Sequence, residues 1–271
     1  MKKSITLIIF FLMIFASSCK KDPVEFQLGC TRKEKRAIEA FLKELMLEEG
    51  GVYTLFGSKP ITSMIIFNGT LEDVSTEGLS KDSLQSLQYH EDNTSYNFAI
   101  WKKFKNKLQL TQYVFLDLKC PIDSVQSFLI FINVDQTIRM IKHNWKLFKD
   151  EKLIPFEKIE ELRKAADLLK LDWVKILEND CLAGLLYGYG EKNTRAFLEN
   201  RIDRIISDDF EGKVTTQDFP IPIFVITEND QMSIIYKKQR EEIKKILATE
   251  NHNSFTSLIL EYLQKSSSHP M

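Results

Sequence analysis

Apolar residues recur along this chain at two spacings, and the spacings divide it into helices and strands. Ile38, Phe41, Leu42, Leu45 and Met46 fall at i, i+3, i+4, i+7 and i+8, which is one face of a helix. Thr31-Arg32-Lys33-Glu34 ahead of them reads as a capping box, and Gly50-Gly51 behind them as a stop. Val52 to Phe56 is β-rich, Gly57-Ser58-Lys59-Pro60 is turn chemistry, and Ile61 to Phe67 is a second apolar run that ends at Asn68-Gly69. Together they predict a hairpin. Residues 68–93 are polar, with one short helix predicted over Lys81–Tyr89. From Thr94 to Leu108 the spacing of Phe98, Trp101, Phe104 and Leu108 is helical again.

The strongest strand signals are Gln109–Leu118 and Ser127–Val134. The second, with FLIFINV apolar on both faces, predicts a central strand covered by helices. Their connection is too short for a helical crossover, so the pair reads as antiparallel. Asp135 is placed to cap a helix carrying Ile138, Ile141, Trp145 and Phe148, and Pro155 to open another that runs to about Leu171. Residues 172–208 read as helix, glycine turn, helix, with the second helix over Glu191–Ile206. Ile221–Thr227 reads as a last strand, and Met232–Thr249 and Ser254–Lys265 as closing helices. Strands and helices mix without a regular βαβ rhythm. The predicted fold is α+β: one helix-rich domain around a mostly antiparallel sheet of about four or five strands.

The leader sets the context. Lys2 and Lys3 precede an almost unbroken apolar stretch from Ser4 to Phe15, and Ala16-Ser17-Ser18 supplies small residues before Cys19. That is the layout of a secretory signal peptide, and its apolar part is short of the roughly 20 residues a membrane span needs. A signal followed directly by cysteine resembles the bacterial lipoprotein class. The match departs from the usual leucine at its first position, where Ala16 stands. The resemblance implies a mature protein that begins at Cys19, with acyl chains such as palmitate on that residue. Two or more chains give stable anchoring, at about 0.8 kcal/mol per buried CH₂. An ordinary secretory signal cleaved after Ser18 and an uncleaved anchor are the other readings. The expected organisation is a signal peptide over 1–18, a lipidated tether over 19–30 and a globular domain over 31–271.

Charge narrows the partners. The chain has 37 basic and 38 acidic residues, a formal net charge of −1, and the leader takes two of the lysines with it. Nucleic acid binding wants a strong basic excess, so nucleic acid is not an expected partner. Besides Cys19 there are Cys30, Cys120 and Cys181, which permit at most one internal disulfide, and no CxxC is present. They read best as small apolar fillers. His90, His143, His252 and His269 form no metal-ligand spacing, and no metal or cofactor is expected.

Internal motifs are weak. The segment Gly51 to Pro60 imitates a phosphate loop but has five residues between its glycines, Ser58 before the lysine and Pro60 where a hydroxyl residue would hold magnesium. It reads as a plain strand and turn. Gly188-Tyr-Gly190 has Asn193 where a dinucleotide fingerprint needs its third glycine, so the glycines read as a turn between helices. Tyr187, Gly188, Tyr189 and Gly190 nevertheless make a candidate ligand surface. Cys181 with His143 or His90 is a possible thiol nucleophile without motif support, and there is no GxSxG elbow. Ala99–Lys107 interleaves rings with lysines, as a bilayer-facing helix would, though a helix burying its rings has the same pattern. Asn68-Gly-Thr70 and Asn93-Thr-Ser95 match glycosylation acceptors, which mean little in a bacterial envelope. The pieces GGVYTLFGSKP and LLYGYGEKN resemble uncharacterised envelope lipoproteins of obligate intracellular bacteria, a resemblance that implies no known activity.

The sequence therefore describes an envelope protein anchored to a membrane through Cys19, in a leaflet it does not specify. Three roles follow in order of preference: a non-enzymatic interaction or structural module for an unidentified protein partner, a cleft-based hydrolase of an envelope polymer, and a small-ligand-binding lipoprotein.

Overall fold

The computed structural model describes residues 29–67, 94–108, 110–120, 126–199, 205–208, 210–227, 230–249 and 254–265. The signal, Cys19, the helix expected over Lys81–Tyr89 and the acceptors at Asn68 and Asn93 lie outside the described residues.

Thr31 opens α1 (Arg32–Lys43) through the capping box its sequence predicts. Its hydroxyl accepts from Glu34 N at 3.2 Å and its own N–H donates to Glu34 Oε2 at 2.9 Å. The helix then widens into a π-turn over Glu44–Glu48, whose inner residues Leu45, Met46 and Leu47 have no solvent contact. Gly50, at φ 73°, ends it in the left-handed region. The next residues do not extend into a strand. They form α2 (Gly51–Leu55), buried on every side, and the expected hairpin is absent. A short apolar run carries no period that separates a buried helix from a buried strand, and Gly50 lets the chain restart as a helix.

β1 (Ile61–Phe67) is paired instead with a distant strand. After α3 (Ser95–Lys105) come β2 (Tyr113–Lys119) and β3 (Gln126–Asn133). The sheet has the order β1-β3-β2 and is antiparallel throughout, with Ile61 opposite Ile132 and Tyr113 opposite Asn133. β3 is central, as its two-faced apolar pattern predicts. Leu129 and Phe131 pack with Phe41, Tyr53, Trp101 and Phe115 on one face, while Ile130 and Ile132 pack with Ile138, Ile141 and Trp173 on the other. Trp101 stacks on Phe41 at 5.3 Å, and Lys102 and Lys103 pair with Asp117 and Glu34. The rings of the Ala99–Lys107 stretch, Trp101 and Phe104, are thus buried instead of offered to a bilayer, while Tyr96 at the start of α3 is exposed.

α4 (Val134–His143) is capped by Asn133, whose side chain accepts from Gln136 N, and not by Asp135, which lies inside the first turn. Asn144 separates it from α5 (Trp145–Asp150). The long helix expected from Pro155 is absent; a single 3₁₀ turn and α6 (Ala165–Leu168) stand in its place. The Asp167 carboxylate draws the N–H groups of Arg163 and Lys164 to itself and so fixes a fresh helix start there. α7 (Trp173–Glu178), α8 (Asp180–Leu186) and α9 (Glu191–Leu198) follow. α9 stops short of the expected Ile206, because Ile205–Ile206 is β4, paired with β5 (Val225–Ile226) in a separate two-stranded ribbon. The last predicted strand shrinks to β5, since Pro220 and Pro222 have no N–H to give a ladder. α10 (Met232–Thr249) and α11 (Phe255–Lys265) close the chain as predicted. Cys30, Cys120 and Cys181 are free and half-buried, more open than the apolar fillers expected.

The protein is an α+β domain, with a three-stranded antiparallel sheet and a short ribbon among the described residues. Glu44, in the π-turn, gives it one pH-sensitive point. Burial pushes its carboxyl up to about 7; the Thr94 hydroxyl, donating to both oxygens at 3.1 and 3.2 Å, opposes the rise, and Glu48 and Glu49 add to it. The native state thus holds a proton that the unfolded chain releases above its ordinary 4.5, so this contribution is full below pH 4.5 and lost as pH rises through 7. Glu44→Gln is expected to add about 1–2 kcal/mol at pH 8, allowing for the water that reaches the side chain, and nothing at pH 4. Urea unfolding of both proteins at the two pH values measures the difference.

Candidate functional site

The site grows from one turn. Gly57 allows the chain to turn against α10, because a Cβ there would overlap Gln239 and the Tyr53 carbonyl. Gln239 accepts from Ser58 N and donates to Ser58 Oγ at 2.8 Å. Lys59 N donates to Tyr53 O, and the Pro60 carbonyl accepts from Asn133 N and from Thr137 Oγ1. Residues on both sides of Lys59 are therefore pinned, and its side chain has one direction left, inward. It is only 6% exposed.

Gly188 closes over the stem of this lysine. A Cβ at that position would lie 3.5 Å from Lys59 Cγ and would collide with the Tyr236 hydroxyl, which donates to the Gly188 carbonyl at 3.0 Å. Gly50 flanks the other end, its Cβ position 3.8 Å from Lys59 Nζ. The two segments quoted together in the sequence, GGVYTLFGSKP and LLYGYGEKN, thus meet around a single ammonium group.

A cavity of about 250 Å³ lies against that group. Ser63 and Tyr187 supply hydroxyls, hydrogen-bonded to each other at 2.8 Å, and Tyr189 stacks on Tyr187 at 5.8 Å. Glu48 and Glu49, from the end of the π-turn, line the cavity and are exposed to solvent. Pro220–Ile223 form a further part of the lining, held in place by other segments. Tyr53 Oη donates to the Pro220 carbonyl, Ser207 Oγ to the Pro222 carbonyl, and Ile221 N to Asp208 Oδ2 at 2.8 Å.

Among the described residues nothing hydrogen-bonds to Lys59 Nζ, and no carboxylate comes within the 4.0 Å of an ion pair. Burial lowers its pKa to about 8, with Glu49 pulling it back up. Glu49 keeps more than a third of its surface in water. The protein packed around the remainder still raises its carboxyl pKa, against the pull of Lys59 and with a smaller push from Glu48. Burial also raises the Tyr187 phenol, opposed by Ser63, and takes the Tyr189 phenol to about 12. Near neutral pH the cavity therefore presents an ammonium and two neutral phenols, with the two exposed glutamates on the same lining, a set that can hold a charged or strongly polar group.

Of the candidate surface read from sequence, Tyr187 and Tyr189 line the cavity and Gly188 shapes the lysine's seat. Gly190 serves the fold: its φ is +80° and a Cβ there would strike Met232. Sequence reasoning missed Lys59, Ser63 and the two glutamates. The available signal was a lysine between Ser58 and Pro60 with apolar runs on both sides. Cys181 lines neither this cavity nor a second one of about 380 Å³ behind Tyr187 and Tyr189, and burial raises its thiol pKa, the reverse of what a nucleophile needs. His143 is exposed on α4. Among the described residues no group of three His, Cys, Asp or Glu is placed to hold a metal ion, and no helix is long and apolar enough to cross a membrane. No protein-family model matches the chain, and no curated protein or solved structure matches it either.

Proposed function

We propose that this is a lipid-anchored bacterial envelope protein that captures a small molecule through an anionic group placed on Lys59. The observation that carries the reading is a lysine more than nine-tenths buried, facing a cavity, with no counter-ion from the described residues. A buried ammonium costs several kcal/mol of lost hydration unless something pairs with it. A chain with no use for that charge is better served by an apolar residue at this position. The missing counter-ion is the natural place for a ligand, and the cavity is the space for the rest of it. Ligand capture thus moves ahead of the other two roles. The hydrolase reading loses its thiol, since Cys181 lines neither cavity, and a partner-docking role has in its favour only scattered exposed residues such as Phe197, Ile223 and Ile234.

One preparation tests both halves. The wild-type chain, extracted from membranes, is expected to enter the detergent phase and to gain thermal stability from at least one small carboxylate or phosphate ester in a metabolite panel. Cys19→Ser should move to the aqueous phase with the same ligand response, and Lys59→Met should stay in the detergent phase without it. Identical aqueous partitioning of wild type and Cys19→Ser would remove the anchor, and a panel with no Lys59-dependent response would remove the ligand site.

A further inference from the structure

The cavity lining carries both signs of charge. Lys59 is deep, and the carboxylates of Glu48 and Glu49 lie on the same lining without forming an ion pair with it. A plain anion settling on Lys59 would stand beside two like charges, and a plain cation held by the glutamates would stand beside the ammonium. A molecule carrying both charges within a few bonds of each other answers both signs. The free space of about 250 Å³ falls below the range of about 300–1,000 Å³ usual for drug-sized ligands, which suits a molecule of a few heavy atoms. The remaining wall, Pro220 to Ile223, is apolar, and Ile223 is 63% exposed, so a short hydrocarbon side chain has a surface to cover. Ser63 Oγ and Tyr187 Oη are the hydroxyls available to a second carboxylate oxygen.

We infer that the Lys59 cavity takes a free α-amino acid, its carboxylate on Lys59, its ammonium toward Glu48 and Glu49, and its side chain against Pro220–Ile223. This rests on the ligand-capture reading and names the ligand class.

The test is calorimetric titration of the full chain with each of the twenty common free L-amino acids, then with the N-acetyl and amide forms of any that binds. At least one free amino acid is expected to bind. Its N-acetyl form, which lacks the cation, and its amide, which lacks the anion, should each bind about tenfold or more weakly. Because Glu48 and Glu49 are exposed, the double variant Glu48→Gln/Glu49→Gln keeps the fold, and it should weaken the free amino acid without changing the N-acetyl form. An N-acetyl form that binds wild type as well as the free amino acid overturns the inference. So does a panel in which no free amino acid binds while another carboxylate binds through Lys59. In both of these outcomes the anion site itself stands. Absence of any Lys59-dependent carboxylate binding overturns the inference and the capture reading together.

Discussion

Replacing Lys59 by methionine is expected to stabilise the ligand-free protein by about 2–3 kcal/mol at pH 7 while abolishing capture. Methionine has nearly the same length and fills the same seat under Gly188, so packing changes little. What disappears is the ammonium. Its pKa falls from an ordinary 10.5 to about 8, so between those values the unfolded chain binds a proton that the native state does not. Stability therefore climbs with pH across that window, and the lysine's cost is full below pH 8. The gain of Lys59→Met over wild type should be largest at pH 7 and close to zero by pH 10.5, as guanidinium unfolding at several pH values would show. Glu49 keeps its water when the lysine goes, so its loss of a distant counter-charge does not reverse the sign. A destabilised Lys59→Met protein would mean that the ammonium supports the fold, and the capture reading would lose the observation it rests on.

That a functional lysine could hide in an ordinary turn shows where reading by pattern stops. β3 was legible because FLIFINV is apolar on both faces, a local property of seven residues. The first helix was legible because its cap, period and stop all lie within twenty residues of one another. α2 was not, since Val52–Leu55 is buried all round and shows no period. The lost helix after Pro155 failed for a related reason: the competition of the Asp167 carboxylate for two backbone N–H groups is decided by geometry and not by composition. Tyr187 and Tyr189 could be singled out because glycines flank and separate them. Lys59 could not, because its stem is covered by Gly188, from a segment remote in sequence. Charge burial is a tertiary fact, and single-sequence patterning places a lysine in water by default.

The wall that completes the site depends on a second buried charge, and cutting its partner is expected to cost about 3 kcal/mol or more. Asp208 has 4% of its side chain exposed and accepts from Ile221 N at 2.8 Å and from Arg240 Nη1 at 3.1 Å. Arg240 reaches this carboxylate from α10 and so ties the Pro220–Ile223 segment to the body of the fold. Arg240→Met leaves Asp208 charged, buried and held by a single amide. The variant should unfold at markedly lower denaturant, and the Ile221 amide should exchange its hydrogen far faster than in wild type, because the wall loosens before the sheet does. The companion variant Arg240→Met/Asp208→Asn removes the orphaned charge while the Asn oxygen still accepts from Ile221 N. It should recover most of the lost stability, and with it the slow exchange at Ile221. If Arg240→Met alone unfolds like wild type and leaves Ile221 protected, the strap is held by Tyr53 and Ser207 instead. The ligand wall would then be independent of α10.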